Sequence, residues 1–310
     1  MATYSGQATA VAKSNTIMNG LLEPIALQLL HDVPSENPLF EVFEREAVDT
    51  AKEIEEIIIG DANVEEYDAT GKTTLSPRDT WNIARYYNEY DHKVYTTTKY
   101  RNEIRSISIS PENEARYVAS LVNGLARKRD DWTYDKQKAI LKDITTTYPK
   151  LKAATITAGD SAAMGEALTI AIRDTIDNLR FKNYNFVANN IDNETSTKFK
   201  QRAYLEQIRI IVPYKVFNRL NIGWLANVYN LDKTDLLSKI VTIDTDDGIV
   251  YVIDKRSVFR YPQTDEILEQ ENAEGNFTTY FLHVNAMMGF SPLFKFAFID
   301  ASAMNPAAGA

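Results

Sequence analysis

Two extended runs separated by a long polar stretch constrain this chain more than any other feature. Glu53 to Ile59 ends in Ile57-Ile58-Ile59, and Lys93 to Ile109 is rich in Thr, Tyr and Ile with charges at alternating positions. Both patterns predict strands. Residues 60–92 between them hold too little apolar surface to form a core, so the strands are expected to leave the body of the protein as an arm with a polar tip. The core must therefore come from the rest of the chain. With 310 residues, 44% of them hydrophobic, there is material for one large domain or two ordinary ones.

The body reads as a succession of helices and strands. Residues 1–20 are small and polar and predict an N-terminal arm, followed by a short apolar helix over Leu21–Leu30 that ends at His31. Ser110-Pro111-Glu112 predicts a helix start: serine caps, proline needs no N–H donor in the first turn, and the acids suit the positive end of the dipole. Val118, Leu121, Val122 and Leu125 then repeat at helical spacing, and Arg127-Lys128-Arg129 closes that helix. A second helix is expected from Trp132 to Thr145. Met164, Leu168, Ile172, Ile176 and Leu179 mark another. Strands are expected at Ile208–Val212, Ile240–Ile243, Gly248–Ile253, Glu266–Glu271, Phe277–Met288 and Phe294–Ile299, with Pro213 opening a helix that carries Val216, Phe217 and Leu220.

Chemistry is scarce. There is no cysteine, which excludes disulfides, thiolate nucleophiles and cysteine-ligated metals, and the histidines are His31, His92 and His283. Gly71-Lys72-Thr73 has the end of a phosphate loop, but Glu66 stands where the loop needs its first glycine. Asp244-Thr245-Asp246-Asp247-Gly248 looks like a calcium loop, yet the twelfth position is Lys255 and a tight turn explains it better. Gly159-Asp160-Ser161 is not a nucleophile elbow, and Asp160 or Ser161 is expected to cap the helix that follows. His283 is expected to be a paired strand histidine. No catalytic residue, cofactor site or metal site is expected. The net charge of −9 argues against tight wrapping of nucleic acid. Residues 1–20 lack a secretory leader pattern and no run is long enough to span a membrane, so a cytoplasmic chain with no membrane partner is expected.

Several stretches carry a resemblance: Asn37-Pro38-Leu39, Ile54-Glu55-Glu56-Ile57, Tyr204-Leu205-Glu206-Gln207-Ile208, Leu225 to Asn230 followed by Lys233-Thr234-Asp235, Val252 to Lys255, and Tyr280 to His283. Their order resembles tailed-phage major capsid proteins of the Hong Kong ninety-seven type, in particular those of small podoviruses related to phage phi twenty-nine. The resemblance implies an α+β fold with an N-terminal arm (1–43), an extended two-stranded loop (44–105), a peripheral domain built on a long spine helix (106–150 and 255–300), an axial domain (151–254) and a C-terminal tail (301–310). It implies assembly of the chain with itself, as hexamers and pentamers, into an icosahedral shell in the host cytoplasm. Scaffolding and portal proteins would be partners, and packaged double-stranded DNA would be touched only loosely. Candidate intersubunit contacts in the loop are Lys72, Trp81, Arg85, Tyr86 and Tyr87. Some relatives crosslink through a loop lysine; Lys72 stands in the matching region, without a matched partner. The phi twenty-nine relative carries a further immunoglobulin-like domain, whereas this sequence stops at Asn305 to Ala310. An encapsulin-like compartment and, from another class, a soluble α/β enzyme working through carboxylates are the alternatives.

Overall fold

A computed structural model describes residues 37–45, 54–58, 82–86, 91–100, 111–181, 203–262, 266–272, 277–291 and 294–304. Its larger sheet is assembled from short apolar segments far apart in sequence: β4 (Lys152–Thr155), β5 (Ile208–Pro213), β6 (Ile240–Ile243), β7 (Ile249–Asp254) and β11 (Phe296–Asp300). They lie side by side in the order β4-β11-β7-β5-β6. β11 is parallel to β4 and antiparallel to β7, and β5 is antiparallel to β7 and parallel to β6.

Both faces are buried, which is why these strands read as continuous apolar runs. Because side chains alternate along a strand, Ile210, Val212, Val250, Val252, Ala297 and Ile299 share one face. There they meet Leu168, Ile172, Ile176 and Leu179, the stripe of helix α3 (Ser161–Phe181). Three short helices, α4 (Tyr214–Phe217), α5 (Ile222–Val228) and α6 (Lys233–Leu237), add Val216, Leu225, Ala226 and Leu236 to the same layer. Ile211, Tyr251, Ile253, Phe296 and Phe298 point the other way, against Leu141 and Ile144.

Those two leucine and isoleucine side chains belong to α2, a single helix over Pro111–Thr147 of 37 residues. The sequence reading broke it at Asp130-Asp131; the chain does not break. Its buried stripe is Leu125, Ala126, Thr133, Gln137, Leu141 and Ile144, so the helical phase continues through the charged stretch, but two of its members are polar. An apolar-only pattern loses the phase at that point. Gln137 is tolerated inside because its Oε1 accepts a hydrogen bond of 2.8 Å from the Asn37 side chain. At ~1.5 Å per residue the helix is about 55 Å long. It stops where Tyr148-Pro149 cannot extend it, and Pro149 opens a turn of 3-10 helix.

Asn37 starts the segment that contains α1 (Phe40–Phe43), whose Leu39, Val42 and Phe43 are fully buried against the α2 side of the sheet. The segment is fastened at its far end. Glu44 accepts hydrogen bonds of 2.6 and 2.7 Å from one Arg260 nitrogen, and Arg45 donates to the carbonyls of Val42, Glu44, Lys255 and Val258.

The second sheet is organised by β10 (Phe277–Phe290), a strand of 14 residues. β3 (Asp91–Tyr100) pairs with Phe277–Ala286; β9 (Glu266–Asn272) and β8 (Val258–Pro262) also pair with β10, all antiparallel. A separate antiparallel pair joins β1 (Ile54–Ile58) to β2 (Asn82–Tyr86). Here the structure differs from the sequence reading, in which the two long runs bracket one polar tip. The first run pairs with a short strand, Asn82-Ile83-Ala84-Arg85-Tyr86, concealed in the polar stretch, and the second belongs to the β10 sheet. The predicted helix Leu21–Leu30, His31, the tip motif Gly71-Lys72-Thr73 and the end of the second run, 101–109, lie outside the described residues.

Candidate intersubunit surfaces

Of the loop residues singled out in the sequence, Lys72, Trp81 and Tyr87 lie outside the described residues. Arg85 and Tyr86 are on β2, where the register sets them opposite Glu55 and Ile54. The motifs read as structural behave that way. Asp160 sits at the N-cap position of α3, its carbonyl accepting from Met164 N at 2.9 Å. Asp244–Gly248 is a turn between β6 and β7 in which Asp247 Oδ1 accepts from Ile249 N at 3.1 Å. Gly248 adopts φ +68 beside Ser302, where a side chain would collide. His283 is half-buried in the middle of β10. Among the described residues no cluster of side chains suited to a metal ion occurs, and no helix is long and apolar enough to cross a membrane.

What the surface does offer is aromatic and charged. Along the outer side of α3 and α5, Ile170, Trp224 and Val228 are exposed, and among the described residues Phe181 and Tyr204, at 63% and 67% exposure, are the most open large hydrophobic side chains. Arg173 lies over the Trp224 ring at 5.6 Å, and Arg180 lies over Phe181 at 4.7 Å and near Tyr229 at 5.9 Å. Tyr229 donates to the Arg173 carbonyl and to Asp177, and burial together with that carboxylate pushes its pKa up. Between α3 and the turn before α5 runs a cleft of 660 Å³ lined by Ser161, Glu166, Ile170, Arg219, Asn221 and Trp224. It is narrow at Gly165, where a β-carbon would come within 2.6 Å of the Arg219 carbonyl oxygen.

Both ends of the larger sheet carry paired charges, Arg256 with Asp254 and Arg180 with Asp177 at one, Lys152 with Asp300 and Lys215 with Asp246 at the other. β5 and β6 are parallel, so their starts share one end and their finishes the other. At the starting end Arg209 and Lys239 are adjacent, Ile210 N bonding the Lys239 carbonyl at 2.9 Å. Burial, with Arg209 beside it, lowers the pKa of the Lys239 ammonium. Lys255 N bonds the Gln207 carbonyl and Ala203 N the Leu179 carbonyl, which brings Arg256, stacked 4.6 Å over Phe294, and the Arg180-Phe181 end of α3 to the same side. At the finishing end stand Asp244, Asp246, Asp247 and Asp300, with Lys215 bonded to Asp246 and Tyr214 half-exposed beside it.

The fold of this chain is similar to that of a chain in the capsid of Staphylococcus phage Andhra, with TM-score 0.64 and 14% identity over 87% of this chain and 86% of that one. A chain from the head of Helicobacter pylori bacteriophage KHP40 aligns with TM-score 0.51 and 11% identity, covering 87% and 92%. The fold is thus one found in chains of phage capsids. The sequence goes further: this chain belongs to the Phi29-like phage major capsid protein family, whose model matches residues 5–299. The major capsid protein of Bacillus phage PZA is 22% identical over 87% of this chain and 60% of its own length, and that of phage GA-1 is 21% identical over 93% and 61%. The chain thus spans about three fifths of the curated relatives it matches. The family is one of structural proteins and not of enzymes.

Proposed function

We propose that this chain is the shell-forming unit of a phage head. Copies assemble as hexamers and pentamers into an icosahedral lattice that encloses double-stranded DNA, with scaffolding and portal proteins as assembly partners in the host cytoplasm. The observation that carries the reading is the family match along nearly the whole chain. In this reading residues 151–254 form the axial domain, against whose strands β4 and β7 the strand β11 of the 255–300 segment pairs. Residues 106–150 and 255–300 supply the peripheral domain around the long helix α2 and strand β10, residues 1–43 the arm, 301–310 the tail, and 44–105 the extended loop. Lys72, Trp81, Arg85, Tyr86 and Tyr87 contact the neighbouring subunit from that loop. An acidic chain suits such a shell, since a surface of net negative charge lets packaged DNA move without sticking.

The test is electron microscopy of the purified protein, alone and with its scaffold, followed by nuclease digestion of particles recovered from infected cells. Closed particles that protect double-stranded DNA are expected. Sedimentation as a stable monomer under every assembly condition overturns the reading, and particles filled with protein cargo instead of DNA replace it by an enzyme compartment.

A further inference from the structure

We infer that the segment 37–45 is a strap that fixes the angle between the two sheets, with Arg45 as its buckle, and that unfastening it frees the subunit to bend where the chain crosses from one sheet to the other.

The crossing is a paired corner. β7 passes through a turn of 3-10 helix, Lys255–Ser257, into β8, and the return from β10 to β11 runs beside it: Asp254 N bonds the Lys295 carbonyl at 2.9 Å, and Ser291 N the Ser257 carbonyl at 2.7 Å. This corner is buried, yet it is polar. Asp254, Ser257, Arg260, Ser291 and Lys295 are each no more than 5% exposed. Apolar layers attract without direction and can settle at many angles, whereas a buried charge or hydroxyl offsets its desolvation only while its hydrogen-bond geometry is kept. The corner therefore favours one angle, and the strap closes over it. Arg45 donates to the carbonyl of Lys255 and, at 2.6 Å, to that of Val258, so one planar guanidinium holds both ends of the 3-10 turn at a set spacing. Arg45 N bonds the Arg260 carbonyl at 3.0 Å, and Glu44 holds the Arg260 side chain. At the other end Asn37 is bonded to Gln137 of α2, the helix that lies along β3 and β10 and farther on buries Leu141 and Ile144 against the larger sheet. The segment thus ties the helix that spans the joint to the corner that forms it. Leu39, Val42 and Phe43 beneath it add adhesion without direction. In the capsid reading, hexamers and pentamers set copies of one chain at more than one curvature, and a bend at this corner supplies the difference. The strap itself is a property of the free subunit and stands apart from that reading.

Because the chain has no cysteine, two introduced ones take spin labels cleanly. T96C on β3 and A167C on α3 are exposed positions, one on each side of the corner. Pulsed electron resonance on the labelled full chain is expected to give one narrow distance, and a distribution about twice as wide or more in R45A. R45K keeps the charge without the planar fork and should behave like R45A. V42A removes buried methyl groups from the same strap and leaves each of these hydrogen bonds in place, so it should lower the melting temperature with the width unchanged. N37A loosens the far end, should widen the distribution as well, and carries the test if both Arg45 variants fail to fold. A broad distribution in the unaltered chain overturns the strap, as do folded Arg45 variants no wider than it. V42A widening as much as R45A also overturns it, since loss of packing alone would then be the cause. Particles of R45A are expected to spread in diameter under electron microscopy; diameters as uniform as before overturn the role in curvature. If the unaltered chain forms no particles, the capsid reading falls and the distance measurement still decides the strap.

Discussion

Individual side chains show which parts of the fold are tightly specified. Tyr95 on β3 carries a buried hydroxyl without a hydrogen-bond partner, and burial, reinforced by Asp131, pushes its pKa up to about 12. A raised tyrosine pKa means that the neutral ring stabilises the fold fully below about pH 10 and that this contribution fades as pH climbs toward the folded value. Tyr95→Phe should therefore leave neutral-pH stability unchanged or raise it by up to about 1 kcal/mol. It should also flatten the alkaline loss of stability between about pH 10 and 12, read by denaturant melts across that range. Glu44→Ala tests the opposite case. It strands Arg260, whose side chain is only 6% exposed, and should cost about 3 kcal/mol in chemical denaturation, with Glu44→Gln costing less. Gly248→Ala forces a side chain onto a positive φ and within 2.7 Å of the Ser302 backbone, so its melting temperature should fall by several degrees.

At the level of elements, the unbroken α2 is the feature to probe. Asp131→Pro places a helix breaker at an exposed position where the sequence reads as a boundary between two helices. A single helix predicts a loss of about 3 kcal/mol or more, and two helices predict almost none. Leu141→Ala, on the buried stripe, should cost about 2–5 kcal/mol by thermal melting. These positions also show what the sequence made legible. Strands β5, β6, β7, β10 and β11 and helix α3 were readable because their apolar spacing matches their period. The continuity of α2 was not, since Thr133 and Gln137 occupy core positions and Gln137 depends on Asn37, 100 positions away. Strand β2 escaped notice because Asn82-Ile83-Ala84-Arg85-Tyr86 carries no continuous apolar run of the kind that marks the equally short β6 and β11. The proximity of Arg209 to Lys239 was invisible for another reason: the two meet only once β5 and β6 pair.

For the whole molecule, folding and assembly should separate. Replacing residues 61–80, between β1 and β2, with a short Gly/Ser turn is expected to leave circular dichroism and melting nearly unchanged while particles become fragile or fail to close, checked by sedimentation and microscopy. Loss of folding instead would mean that the segment contributes to the core. The larger sheet carries a consequence in time. Its second strand, β11, is the last of its strands to be translated, yet β4 touches no other strand of that sheet, and β7 needs β11 along its open edge. Until residue 300 leaves the ribosome, the apolar faces of Tyr251, Ile253 and Val252 lack part of their cover and β4 has nowhere to pair. Pairing of such distant segments is slow, and unpaired edges invite aggregation. Nascent chains crowded on one messenger therefore lack a finished larger sheet until residue 300 has emerged.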